Sequence, residues 1–195
     1  MCRTGGPYCY DRRKTIAQLK KEAPDKMERA KASFEKARTV TERDNARSRI
    51  AYAKLCSGEG DYHGGYGEVL KDAQTPDGGA TYDMQNKSYI GVGFCYSPYK
   101  ELEHKIPADK IELNDLSEYV RKNKKYFSRK NHYLGLWNNP DDGNVYLDVS
   151  VRTMDASKAR KGCKDNDQLA FFDLQSFESV ATDGGENDEE TIFPK

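Results

Sequence analysis

The rhythm of apolar and polar positions changes twice along the chain, and each change predicts a different kind of element. Ile16, Leu19, Ala23, Met27, Ala30, Phe34 and Ala37 recur at steps of three and four among charged residues. That is the spacing of a helix with one face turned toward a neighbour. Pro24 fits best in a first helical turn, so the pattern predicts a short helix near 13–22 and a longer one over 24–38. Thr41, with Asp44 three residues on, has the spacing of a capping box for a third helical piece through Leu55. Ala46, Ile50 and Ala53 form its stripe. Residues 1–57 therefore read as a helical hairpin, weakly apolar and in need of a surface to lean on. Residues 58–87 contain "GEGDYHGGYG" and "TPDGG" and read as a glycine-rich linker.

From Ser88 the rhythm shifts toward alternation. "SYIGVGFCY" predicts a strand, and "LNDLSEYVRKNKKYF" a helix with Leu113, Leu116, Tyr119 and Val120 on one face and Asn114 as its cap. "HYLGLWN" is the next strand, and "NPDDG" at 139–143 supplies a tight turn into "NVYLDVSV". A helix capped by Asp155 follows through "DASKARKGCKDN", and then the strand "QLAFFDL". The order strand, helix, strand, strand, helix, strand is that of the ferredoxin-like βαββαβ arrangement. The expected fold is thus α+β: a four-stranded antiparallel sheet over 88–180, both helices on one side, preceded by the charged hairpin.

A sheet covered on one side sends alternate residues of each strand into two environments. Val145, Leu147, Val149 and Val151 are expected under the helices, which leaves Tyr146, Asp148 and Ser150 on the uncovered side. The same alternation puts Tyr133, Gly135 and Trp137 there, with Gly91, Gly93 and Cys95 from the first strand. Leu169, Phe171 and Asp173 join them from the last. Tyr133, Trp137, Tyr146, Asp148, Ser150 and Asp173 form the candidate binding surface. Three glycines on one face suggest that something approaches the backbone closely, either a docking partner or the chain's own basic hairpin. An aromatic face of this extent is a liability when bare, so the hairpin is expected to fold back over it, with an Arg or Lys of 12–54 meeting Asp148.

Composition adds a cellular setting. The 195 residues are 36% hydrophobic and 33% charged, with a mean hydropathy of −0.96. No apolar run is long enough to cross a bilayer or to act as a secretory leader, which predicts a cytoplasmic protein without a membrane partner. The five cysteines are odd in number and scattered, as expected for reduced thiols. The net charge of zero conceals an asymmetry: residues 1–57 carry 15 Lys and Arg against 7 Asp and Glu. Arg12, Arg13, Lys14, Lys20, Lys21, Arg43, Arg47 and Arg49 form a candidate basic patch for nucleic acid or an acidic partner. Residues 181–195 read as an acidic, disordered tail.

Catalytic chemistry is weakly represented. Cys2 and Cys9 are spaced more widely than zinc-knuckle ligands, and His63, His104 and His132 show no ligand spacing. Cys95 and His132 fall on opposite sides of the expected sheet. Asp148 and Asp173 could approach one another and shift each other's pKa, yet no pattern combines a nucleophile, a base and an orienting group. Neither metal nor cofactor is expected. The glycine-rich stretch lacks the Lys-Ser/Thr pair of a phosphate loop. The topology resembles RNA-recognition modules, but "NVYLDVSV" lacks their Lys/Arg-Gly-Phe opening, and Asp148 and Asp173 would repel phosphates.

Two segments carry a further resemblance. The opening "MCRTGG" with Cys9, and the block "YLGLWNNPDDGNVYLDVSV…DNDQLAFFDL" from Tyr133 to Leu174, resemble small proteins of phages, prophages and other mobile elements of actinobacteria. The shared pattern includes Trp137, Gly143, Tyr146, Asp148, Gln168 and Asp173. The resemblance implies a setting rather than a reaction. That setting, with the charge asymmetry and the lack of a catalytic pattern, leads to the expectation of an intracellular, non-enzymatic protein that binds a host protein. The leading expectation is a stoichiometric inhibitor of a host defence nuclease, such as a CRISPR effector, in the manner of an anti-CRISPR. Its acidic sheet side or tail would then imitate nucleic acid. A nucleic-acid-binding accessory protein using the amino-terminal helices, and a head or packaging accessory protein, are the alternatives.

Overall fold

The computed structural model describes residues 16–183. Arg12, Arg13, Lys14, Cys2, Cys9 and most of the acidic tail lie outside the described residues.

A single helix, α1 (Ile16–Glu35), replaces the two expected before residue 38. It runs through Pro24, although an interior proline forfeits a backbone hydrogen bond and crowds the preceding turn at a cost of about 3 kcal/mol. The continuous stripe explains the difference, because Leu19, Ala23 and Ala30 are all buried. Interrupting the helix would expose that seam against α2 (Val40–Ser57). We expect Pro24→Ala to stabilise the chain by about 1–3 kcal/mol; a thermal melt with no upward shift would contradict this. The second helix starts slightly earlier than expected. Thr39 caps it by accepting from the Glu42 backbone, and Glu42 reciprocates. Gly58 ends it with φ of +93°, a left-handed geometry natural to glycine.

Residues 58–87 are not a linker. They contribute β1 (Tyr62–His63), α3 (Tyr66–Gln74) and β2 (Gly79–Asp83). The expected first strand is likewise two: β3 (Ser88–Tyr89) pairs with β2 and β1, whereas β4 (Phe94–Tyr96) pairs elsewhere. Gly93, with φ of +116°, lies just before β4, in a conformation that side chains rarely tolerate. After β5 (His104–Pro107) come α4 (Leu113–Lys122), whose N-cap position is Glu112 rather than Asn114, with the Glu112 backbone N–H donating to Asp115, and the short α5 (Lys124–Phe127). Then follow β6 (His132–Asn139), β7 (Asn144–Thr153), α6 (Ala156–Asp165), β8 (Ala170–Asp173) and β9 (Glu178–Ala181). Asp155 caps α6 as expected, accepting from the Lys158 backbone at 3.2 Å.

The fold is α+β. Among the described residues nine strands make one curled, antiparallel sheet in the order β1-β3-β2-β6-β7-β4-β8-β9, with β5 also on β7. It is larger than the four-stranded layer expected, because β1–β3 extend one side and β9 the other. β6 and β7 form the axis, paired from His132↔Val151 to Asn139↔Asn144. Leu134, Leu136, Val145, Leu147 and Val149 bury one face against Val69 and Ala73 of α3 and Leu116 and Tyr119 of α4. On the same face, Phe94, Phe171 and Val180 meet Ala156, Ala159 and Cys163 of α6 and Ala51 of α2. Among the described residues no helix is long and apolar enough to cross a membrane.

The hairpin docks on this helix-bearing side, and it does so through polar groups. Asp44 of α2 accepts two bonds from the Arg160 guanidinium of α6, at 2.7 and 2.9 Å. Arg160 also donates to the Ala181 carbonyl. The Ser48 hydroxyl accepts from the Ala156 backbone at 2.8 Å. Arg47 lies 3.9 Å from Asp173 and over the Phe34 ring. These contacts overturn two expectations. The hairpin does not cover the sheet's other face, and no Arg or Lys of the described hairpin answers Asp148. The reason is geometric: where α2 arrives, α6 offers the Ala156 backbone N–H, which has no acceptor within its own helix, and the long Arg160 side chain.

Candidate functional site

The face opposite the helices is concave, and its cavity of about 550 Å³ is built on β6 and β7. Tyr146, Asp148 and Ser150 project there together with Tyr133, Gly135 and Trp137, the alternation expected from sequence, because cross-strand partners share a face and Trp137↔Tyr146, Gly135↔Asp148 and Tyr133↔Ser150 are partners.

Gly135 explains how a carboxylate fits in the middle of β7. A Cβ at this position would lie 2.3 Å from both Asp148 Oδ1 and Ser150 Oγ, so only glycine leaves room for both side chains. Ser150 donates to Asp148 at 2.7 Å. Burial is the main cause that pushes the Asp148 pKa up, to about 6; the Ser150 and Ser97 hydroxyls oppose the shift and the nearby Glu103 charge adds to it. Ser97 belongs to the segment after β4, which Gln168 clamps in place. Its side-chain carbonyl accepts from the Ser97 N–H at 2.9 Å, and its amide donates to the Ser97 carbonyl.

Aromatic side chains surround this sunken acid. Trp137, Tyr62 and Phe177 line the cavity and are 44%, 55% and 73% exposed. Trp137 does not swing freely, because its indole N–H donates to Asp77 at 3.0 Å and its ring tilts against Tyr146, with centroids 5.9 Å apart. Tyr62 stacks on Tyr89 at 4.9 Å. Cys95 sits in the floor with its thiol pushed up to about 12 by burial, despite a hydrogen bond with Thr81; it is a poor nucleophile.

The candidate surface divides accordingly. Trp137, Asp148 and Ser150 line the cavity. Tyr146 stands beside Trp137, its hydroxyl donating to Asp142 at 2.5 Å and accepting from Lys105 at 3.0 Å. Tyr133 is buried in a small cluster with Ile90, Cys95 and Leu174, under the Arg152 guanidinium. Asp173 does not belong to this face. It pairs with Phe94 and so points to the helix side, where it accepts from the Gln175 and Ser176 backbones. Phe171 goes with it, and Phe172 takes the cavity side. Asp148 and Asp173 therefore cannot form a carboxylate pair.

The basic patch is also redrawn. Lys20, Lys21 and Arg49 are exposed and Arg43 is half-buried, but Arg47 is buried between Asp44 and Asp173. His132 turns to the opposite face from Cys95 and contacts the Tyr99 hydroxyl at 2.9 Å. Among the described residues no group of three His, Cys, Asp or Glu is placed to hold a metal ion. Sequence reading missed Tyr62, Asp77, Gln168 and Phe177 as cavity residues, because they come from segments read as linker, turn or strand end. No protein-family model, curated protein or solved structure matches the chain.

Proposed function

We propose that the chain is a non-enzymatic binding protein whose concave sheet face receives a segment of a protein partner, with a basic side chain of that partner reaching Asp148. The observation that supports this most is the ring of partly exposed aromatics around one sunken carboxylate. Aromatic anchors around a desolvated pocket are where interfaces concentrate their binding energy, and an arginine or lysine can satisfy both the acid and the rings. An incoming cation would also relieve the cost of keeping Asp148 ionised away from water.

The resemblance to proteins of actinobacterial phages and prophages supplies the setting. The partner is a host protein, and the leading candidate is a defence nuclease such as a CRISPR effector, inhibited by a one-to-one complex in the host cytoplasm. Imitation of nucleic acid by the sheet is not the favoured means, because Asp148 is recessed and Asp173 faces away; a bound peptide segment fits the cavity better. The neighbourhood of β6-β7-β4-β8 with α4 and α6 supports reading these elements as a ferredoxin-like nucleus, enlarged at both edges.

Calorimetry with a purified effector nuclease tests the proposal. Trp137→Ala is expected to weaken the complex by about 2–3 kcal/mol, roughly 30- to 150-fold in Kd, and Asp148→Lys to abolish it. Absence of a one-to-one complex, together with no protection of infecting phage in cells that carry the chain, would count against it.

A further inference from the structure

A second surface lies away from the cavity, on the end of α4, on α5 and on the loop into β6. Residues 121–130 read "RKNKKYFSRK" and contain six cations; from Tyr119 to Pro140 there is no Asp or Glu. Arg121, Lys122, Lys124, Lys125, Arg129 and Lys130 are all exposed. Among the described residues only Lys122 of these six has a carboxylate within 4.0 Å, that of Glu118. The cluster sits in the part of the chain where acids outnumber bases, so overall charge does not explain it.

Two of the cations are held in place by tyrosines. The Arg129 guanidinium donates to the Tyr99 hydroxyl at 3.2 Å and lies 4.9 Å from the centre of the Tyr126 ring. The Lys125 ammonium lies 4.8 Å from the same ring, and Tyr99 packs on Tyr126 with centroids 4.6 Å apart. Phe127, buried in the core, anchors the turn from beneath. Six like charges within ten residues repel one another, yet all six are exposed on this surface, with Arg129 and Lys125 held against Tyr126.

We propose that this surface binds the phosphate backbone of nucleic acid. Its composition separates this partner from an acidic protein. Protein interfaces deplete lysine and need an apolar centre, whereas four of the six cations are lysines and none of the large exposed apolar side chains lies within 121–130. Nucleic-acid interfaces are strongly positive and polar. Recognition is independent of sequence, because α5 has four residues and presents no helix long enough to read a major groove. The surface is distinct from the cavity, and neither proposal depends on the other.

The full chain is titrated against end-labelled single- and double-stranded DNA of about 12 nucleotides, read by anisotropy and gel retardation. With three or four phosphates engaged, affinity for the single strand falls roughly 20- to 50-fold between about 50 and 200 mM salt. The variant K124A/K125A/R129A loses at least tenfold in affinity and lowers the salt slope by about two. K124R/K125R/R129K, which keeps the charges, binds within about threefold of the parent. K20A/K21A/R49A and Trp137→Ala bind as the parent does. Lack of retardation at low salt, an alanine variant that binds as tightly as its parent, or loss confined to K20A/K21A/R49A would each overturn the proposal. So would displacement of the DNA by polyglutamate at equal charge, which would assign the surface to an acidic protein.

Discussion

Replacing Asp44 by alanine is expected to cost about 3–5 kcal/mol of stability, among the largest losses for a single change in this chain. The carboxylate is 2% exposed and receives both arms of the Arg160 fork. Taking two charges out of water is costly, and their attraction recovers that cost only when the geometry is good. Removing the carboxylate takes the opposite charge of Asp44 away from the guanidinium fork of the buried Arg160, which keeps the Ala181 carbonyl and the Phe171 ring; this is worse than never having buried the pair. The double change Asp44→Leu with Arg160→Met is therefore expected to be far milder than Asp44→Ala alone. Urea denaturation of the two variants checks this; a double variant as unstable as the single one would show that Arg160's bond to Ala181 and its stacking on Phe171 matter more than its pairing with Asp44.

The second large effect concerns pH. Asp148 has a folded-state pKa of about 6, above the ordinary aspartate value of 3.8, chiefly because it is buried. A raised value means that the folded chain holds a proton that the unfolded chain has already lost between about pH 4 and 6. Stability from this group is therefore greatest below pH 4 and declines as pH rises through that window. A shift of about two units corresponds to at most about 3 kcal/mol, and to less where water reaches this half-buried side chain. Asp148→Asn removes the ionisation, so the variant is expected to gain up to that amount at pH 7.5 and to lose most of the dependence between pH 4.5 and 7.5. Burial raises Asp173 too, which leaves a residual slope of the same sign. Denaturant titrations at the two pH values decide; an asparagine variant as pH-sensitive as the parent would place the carboxylate in water. The parent retains a group that lowers its own stability at neutral pH, as expected where a charge serves binding rather than folding.

Legibility in the sequence followed the strength of local signals. The period of two in "NVYLDVSV" correctly put Val145, Leu147 and Val149 under the helices and Asp148 opposite, because the strand is long and fully paired to β6. The Asp155 cap was visible for a similar reason: one residue type at a helix start has one main use. The short strands were not legible. Two residues of β1 and two of β3 carry no alternation to detect, and their place is fixed by pairing with β2 and each other. The side taken by Asp173 depended on a register that "QLAFFDL" leaves open, since both of its alternating sets contain large apolar residues. Pro24 misled because propensity is a local cost, while the stripe that overrides it spans 20 residues. The cations of 121–130 were in plain view but were absorbed into an amphipathic helix; the chain turns at Asn123, and that turn gathers them on one surface.

The placement of the chain's single tryptophan has a practical corollary. Trp137 stands at the lip of the cavity, 44% exposed, rather than in the interior. Its emission in the native protein is expected to be that of a partly wetted indole, and an occupant that shuts out solvent is expected to shift it toward the blue. The side chain at the lip would then serve as an optical gauge of occupancy.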